Sequence, residues 1–152
     1  MSLYRALRIS ASALTAERLR MDVISNNIAN SQTTRTAQGG PYRRKVVVFA
    51  PQDGRRAPVF FVPPFRRSGD PAELQGLAGV RVQAIQEVEE EPIRVYEPSH
   101  PDADEDGYVE YPNVDITTEI VDLMAASRAY QANVTVIQTA KTTAQAALDI
   151  GR

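Results

Sequence analysis

Apolar residues recur every seven positions at both ends of this chain. Near the N-terminus Leu7, Leu14, Met21 and Ile28 form one column, widened by Leu3, Ala11 and Ile24. Near the C-terminus one column reads Ile116, Leu123, Tyr130, Ile137, Ala144, and a second reads Ile120, Ser127, Val134, Lys141, Leu148. This period predicts two long amphipathic helices, over about residues 2–29 and from Asp115 onward. Spacing alone leaves two packings open, a coiled-coil seam and an amphipathic helix laid on a globular core. The polar Ser127 and Lys141 weaken the second column but can fix the register of a seam.

The middle of the chain changes period. Tyr42–Ala50, Pro58–Val62, the alternating Val80, Val82 and Ala84, Ile93 with Val95, and Tyr108–Tyr111 carry strand signals separated by turn residues. All ten prolines lie between Pro41 and Pro112, and seven of the eight glycines between Gly39 and Gly107. Proline costs a helix interior about 3 kcal/mol and glycine about 1 kcal/mol relative to Ala, so the breaker-free ends are the helical parts. Residues 51–76, with five prolines and three glycines, read as a poorly ordered loop. The expected fold is α+β. Long terminal helices pack as an antiparallel coiled-coil-like pair (1–34 with 113–152), beside a small β-rich outer segment (35–112).

Local signals place the helix ends. Ser2 and Asp115 are N-cap candidates, and Glu119 and Asp122 complement the dipole of the second helix. The run Asn26-Asn27-Ile28-Ala29-Asn30 is the expected stop of the first, because Asn tolerates the left-handed conformation and hydrogen-bonds its own backbone.

Charge adds a split that the net value of −2 hides. Residues 1–67 hold twelve basic and three acidic side chains, and residues 68–152 five basic and sixteen acidic ones. The clusters Arg43-Arg44-Lys45, Arg55-Arg56 and Arg66-Arg67, with nearby phenylalanines, raise nucleic acid as a partner. The acidic second half opposes approach to phosphates, so no nucleic-acid partner is expected. Pairing of the basic stretch with the acidic one, within a subunit or across a subunit boundary, is the preferred reading.

Candidate chemistry is sparse. There is no cysteine and one histidine, His100, which excludes thiol catalysis and makes a histidine-rich metal site unsupported. Asp102-Ala103-Asp104-Glu105-Asp106-Gly107 matches the start of a calcium loop, but the twelfth position is Asn113 instead of a bidentate Glu. A solvated acidic turn is the simpler reading, and a calcium-binding module using Asp102, Asp104 and Asp106 is the alternative. The carboxylates at 87–91 and 102–110 lie in runs typical of solvated faces, and no catalytic set is credible. No cofactor is expected. No apolar run approaches the ~20 residues needed to span a bilayer, and the N-terminus lacks the continuous apolar core of a cleaved signal.

Several stretches together resemble a known family. Ser25-Asn26-Asn27-Ile28-Ala29-Asn30 at the end of an N-terminal helix resembles the signature of bacterial flagellar axial proteins. Leu19–Ile24, Thr33–Thr36 with Gly39–Arg44, and Asn113-Val114-Asp115 with Ser127–Asn133 narrow the resemblance to a proximal-rod subunit. Residues 51–96 carry little of it. The resemblance implies a non-enzymatic subunit of the basal-body rod, the shaft that transmits motor torque to the hook. It implies export through the flagellar type III apparatus without a cleaved signal, and assembly in the periplasm. Implied partners are further copies of the chain, other rod proteins, basal-body proteins near the membrane ring and export gate, and the export apparatus with its chaperoning factors. No direct membrane insertion is implied. The helix-packing residues would be Leu7, Leu14, Met21 and Ile28 against Ile116, Ile120, Leu123, Tyr130, Val134, Ile137 and Leu148.

Overall fold

The computed structural model describes residues 3–52 and 79–150. Ser2, the Pro58–Val62 strand candidate and the expected loop from residue 53 onward lie outside them. The element order is α1 (Leu3–Ala29), β1 (Lys45–Pro51), β2 (Val80–Glu87), β3 (Ile93–Tyr96), β4 (Tyr108–Tyr111) and α2 (Ile116–Ile150). The fold is α+β: two long terminal helices pack on each other, and the middle is made of short antiparallel strands.

Helix α1 is free of Gly and Pro and ends through side-chain chemistry. The Asn30 amide nitrogen donates to the Asn26 carbonyl and to Asn26 Oδ1, both at 2.9 Å, and so caps the last turn. No described non-glycine residue has a positive φ. The left-handed asparagine expected from the sequence is therefore absent: the Asn30 N–H and side chain both serve the Asn26 carbonyl, and the Ser31 N–H and hydroxyl serve that of Ile28. Helix α2 starts as its sequence suggests. Asp115 Oδ1 accepts from Thr117 N–H at 2.9 Å, and Oδ2 accepts from the Thr118 hydroxyl at 2.7 Å. These bonds, the Thr118 one foremost, hold the Asp115 carboxyl below its ordinary value.

The two helices run antiparallel. Asn27 bonds Glu119 and Arg20 pairs with Asp122, so rising numbers on α2 meet falling numbers on α1. At 1.5 Å per residue α1 is roughly 40 Å long and α2 roughly 52 Å. Extending the register places Leu3 opposite about residue 140. Beyond that point α2 has no α1 beside it, and Leu148 is 73% exposed.

The strands form two separate hairpin-like pairs. β1 pairs β2 from Lys45↔Glu87 to Pro51↔Val80, with a bulge between Val48 and Phe49. β3 pairs β4 from Ile93↔Tyr111 to Tyr96↔Tyr108, and the two tyrosine rings meet edge to face at 5.3 Å. The β1–β2 pair rests on α1. Its far end is held by Ser12, whose hydroxyl donates to the Ile9 carbonyl and accepts from Val80 N–H at 3.1 Å. Gly79 precedes that contact with φ +116°, and a Cβ there would overlap Ser12 Oγ.

Candidate functional site

The most connected polar cluster joins the end of α1, the approach to β1 and the first turn of α2. Asn27 is its hub and is 1% exposed. Its Nδ2 donates to the Lys45 carbonyl at 2.8 Å and to Glu119 Oε2 at 3.0 Å. Its Oδ1 accepts from Lys45 N–H at 3.0 Å and from the Tyr42 hydroxyl at 2.9 Å. The amide thus uses both donors and both acceptor sites. Toward Lys45 it presents the N–H and C=O pair that a neighbouring strand would offer, so α1 takes the place of a strand at the start of β1.

Glu119 is the charged centre, at 1% exposure. Its Oε1 accepts from Arg44 Nε at 2.7 Å and Nη2 at 2.6 Å. Asp122 lies 3.8 Å from Arg44 and 3.6 Å from Arg20, extending the network back to α1. Burial pushes the Tyr42 hydroxyl above its ordinary value, and the Glu119 and Glu87 charges add to that. Lys45 sits 5.9 Å above the Tyr42 ring and 3.6 Å from Glu87.

A second link ties the turn after α1 to the acidic loop. Thr34 donates to Asp102 Oδ2 at 2.8 Å and Arg35 pairs with Oδ1 at 3.7 Å. Arg35, Arg44 and Lys45 from the basic half each meet carboxylates from the acidic half, inside one subunit. The calcium alternative fares poorly for the same reason. Asp102 turns to Thr34 and Arg35, while Asp104 Oδ1 accepts from its own loop, from Asp106 N–H and Tyr108 N–H. Among the described residues no group of three acidic, histidine or cysteine side chains could hold a metal ion.

The stripe residues are distributed unevenly. Leu7, Leu14, Met21 and Ile28 on α1 and Leu123, Tyr130, Val134 and Ile137 on α2 are half-buried. Ile116, Ile120 and Leu148 are exposed. The most buried helix positions are instead Ser10, Ala16, Val23, Ile24 and Asn27 on α1, with Glu119, Ala126 and Ala140 on α2. In the asparagine run, Asn27 and Asn30 carry the bonds described, Asn26 receives Asn30, Ile28 is half-buried and Ala29 is exposed. Sequence reasoning gave Glu119 only a helix-dipole role. The available signal was a carboxylate heading a column of small residues, Ala126, Asn133 and Ala140.

Among the described residues the arrangement brings no reactive constellation together. It is a scaffold: paired helices, a rigid polar junction and apolar residues left uncovered along α2. Two family profiles match at the helical ends. Residues 7–35 match "Flagella basal body rod protein", and residues 105–150 match "Flagellar basal body rod FlgEFG protein C-terminal". The class is therefore that of structural flagellar rod subunits. Flagellar basal-body rod protein FlgC of Borreliella burgdorferi is 44% identical over 99% of this chain and 98% of its own. The Bacillus subtilis FlgC is 41% identical and the Salmonella typhimurium FlgC 37% identical, each over 100% of both chains. The chain belongs to the FlgC family of flagellar basal-body rod proteins. It is a structural subunit of the basal-body rod and not an enzyme. Among the described residues no helix is long and apolar enough to cross a membrane.

Proposed function

We propose that this subunit builds the proximal part of the rod, joining copies of itself and other rod proteins through its terminal helices. In this reading residues 1–34 with 113–152 form the inner, helical layer, and residues 35–112 the outer one. The stripe residues Leu7, Leu14, Met21 and Ile28 with Leu123, Tyr130, Val134 and Ile137 hold the pair together, while Ile116, Ile120 and Leu148 meet neighbours. The observation that carries the reading is the uncovered apolar surface of α2. Val121 is 61% exposed, Met124 51% and Ile120 47%. A helix gains most of its stability from burying its apolar face, so this face calls for a partner. The same reading has the chain leave the cytoplasm through the flagellar export apparatus with its chaperoning factors, without a cleaved signal. It assembles on the periplasmic side near the membrane ring and export gate.

Val121→Asp and Met124→Asp test the proposal, because both sites are solvent-facing in the single subunit. Each variant should keep wild-type helix content by circular dichroism, be exported normally, and yet yield non-motile cells lacking complete rods. Normal motility in the double variant would remove α2's exposed face from the assembly.

A further inference from the structure

We infer that Asn27, Arg44 and Glu119 act as a register lock, which selects one alignment of α2 on α1 among several that the rest of the contact tolerates. Beyond the junction, the buried positions of α2 are Ala126 and Ala140. Such short side chains interdigitate weakly. A one-heptad slide that puts Ala126 in the place of Glu119 puts Asn133 in the place of Ala126 and Ala147 in the place of Ala140, so small or uncharged side chains follow one another along the column. The flanking column Leu123, Tyr130, Ile137 is likewise apolar at each seven-residue step.

The junction does not tolerate the same slide. Glu119 is the only carboxylate in its column, which continues Ala126, Asn133, Ala140 and Ala147. Moving it one heptad takes the buried charge away from Arg44 Nε and Nη2, and leaves Asn27 Nδ2 facing an alanine. Arg44 cannot follow, because its backbone neighbour Lys45 is bracketed by Asn27 on α1 and Glu87 on β2. Arg44 is therefore anchored to α1 and to the strand pair, and does not travel with α2. Buried polar groups that fix register at some cost in stability are the best-attested use of such groups.

The test reads register directly in the free subunit, independently of rod assembly. The chain contains no cysteine, so two introduced ones at the exposed Arg18 and Gln138 carry spin labels without interference. Wild type should give one narrow distance by double electron–electron resonance. N27L/R44M/E119L replaces the lock with apolar side chains of similar size. It should keep its helical circular dichroism and gain a second distance displaced by roughly 10 Å, one heptad at 1.5 Å per residue. That population should rise from below about 1% to above about 10% of pairs. If the triple variant does not fold, R44Q/E119Q supplies the same reading, since it keeps size and hydrogen bonding but removes both charges. A single unchanged distance in the folded variants overturns the lock. Loss of helix in both overturns it too, because the cluster would then hold the fold and not its alignment.

Discussion

Removing Glu119 should be among the most costly single changes at the junction. In Glu119→Ala the Arg44 guanidinium loses two charge-assisted bonds, and Asn27 Nδ2 loses one of its two acceptors. Asn27 is almost completely buried, so its released N–H finds no water, at a cost of about 1–3 kcal/mol. Breaking a fully buried ion pair costs about 3–5 kcal/mol. Arg44 is 26% exposed and keeps Asp122 at 3.8 Å, so water and a weaker partner recover part of that. The expected loss is about 2–4 kcal/mol, from these two magnitudes taken together. The internal control is Glu110→Ala. Its pair with Arg94 spans a similar distance, 3.1 Å, but the side chains are 41% and 67% exposed. Such a pair contributes at most about 1 kcal/mol. Urea unfolding followed by circular dichroism gives both values by linear extrapolation. If Glu119→Ala falls within about 0.5 kcal/mol of Glu110→Ala, burial is not what makes the junction strong.

Two further sites give quick checks. Gly79→Ala combines a positive φ with overlap on Ser12 Oγ and should cost about 1–3 kcal/mol, whereas Gly39→Ala, with φ +87° and open space around it, should cost less; equal urea midpoints would refute the Ser12 contact. At Asp115 the folded state favours the carboxylate, so its contribution is present above the ordinary value of 3.8 and is lost as pH falls through the lower folded value. The thermal midpoint of wild type should therefore exceed that of Asp115→Ala at neutral pH and converge on it in strong acid; a constant difference would mean that the cap does not act through its charge.

The sequence alone was enough for the two helices, for the strands among the described residues and for the class of protein. Heptad columns and the confinement of Pro and Gly to the middle define two helices, because period and breakers are local properties of the chain. Asp115 capped the second helix as its type suggests, since a cap needs only the next three residues. The Ser25–Asn30 run pointed to the flagellar family for a different reason, its resemblance to a known signature.

Tertiary structure decided the partners. Nothing local shows that Asn27 would serve Lys45 as a strand does, or that Glu119 would be buried 92 positions away from it in sequence. Nor does a heptad column say which side of a helix its partner occupies. Leu123 and Ile120 are both apolar seam candidates, yet one is half-buried and the other exposed in the single subunit. Periodicity measures how an apolar face could be buried, whereas which face is buried depends on the third element, the Tyr42–Lys45 approach to β1, that brings Arg44 to Glu119.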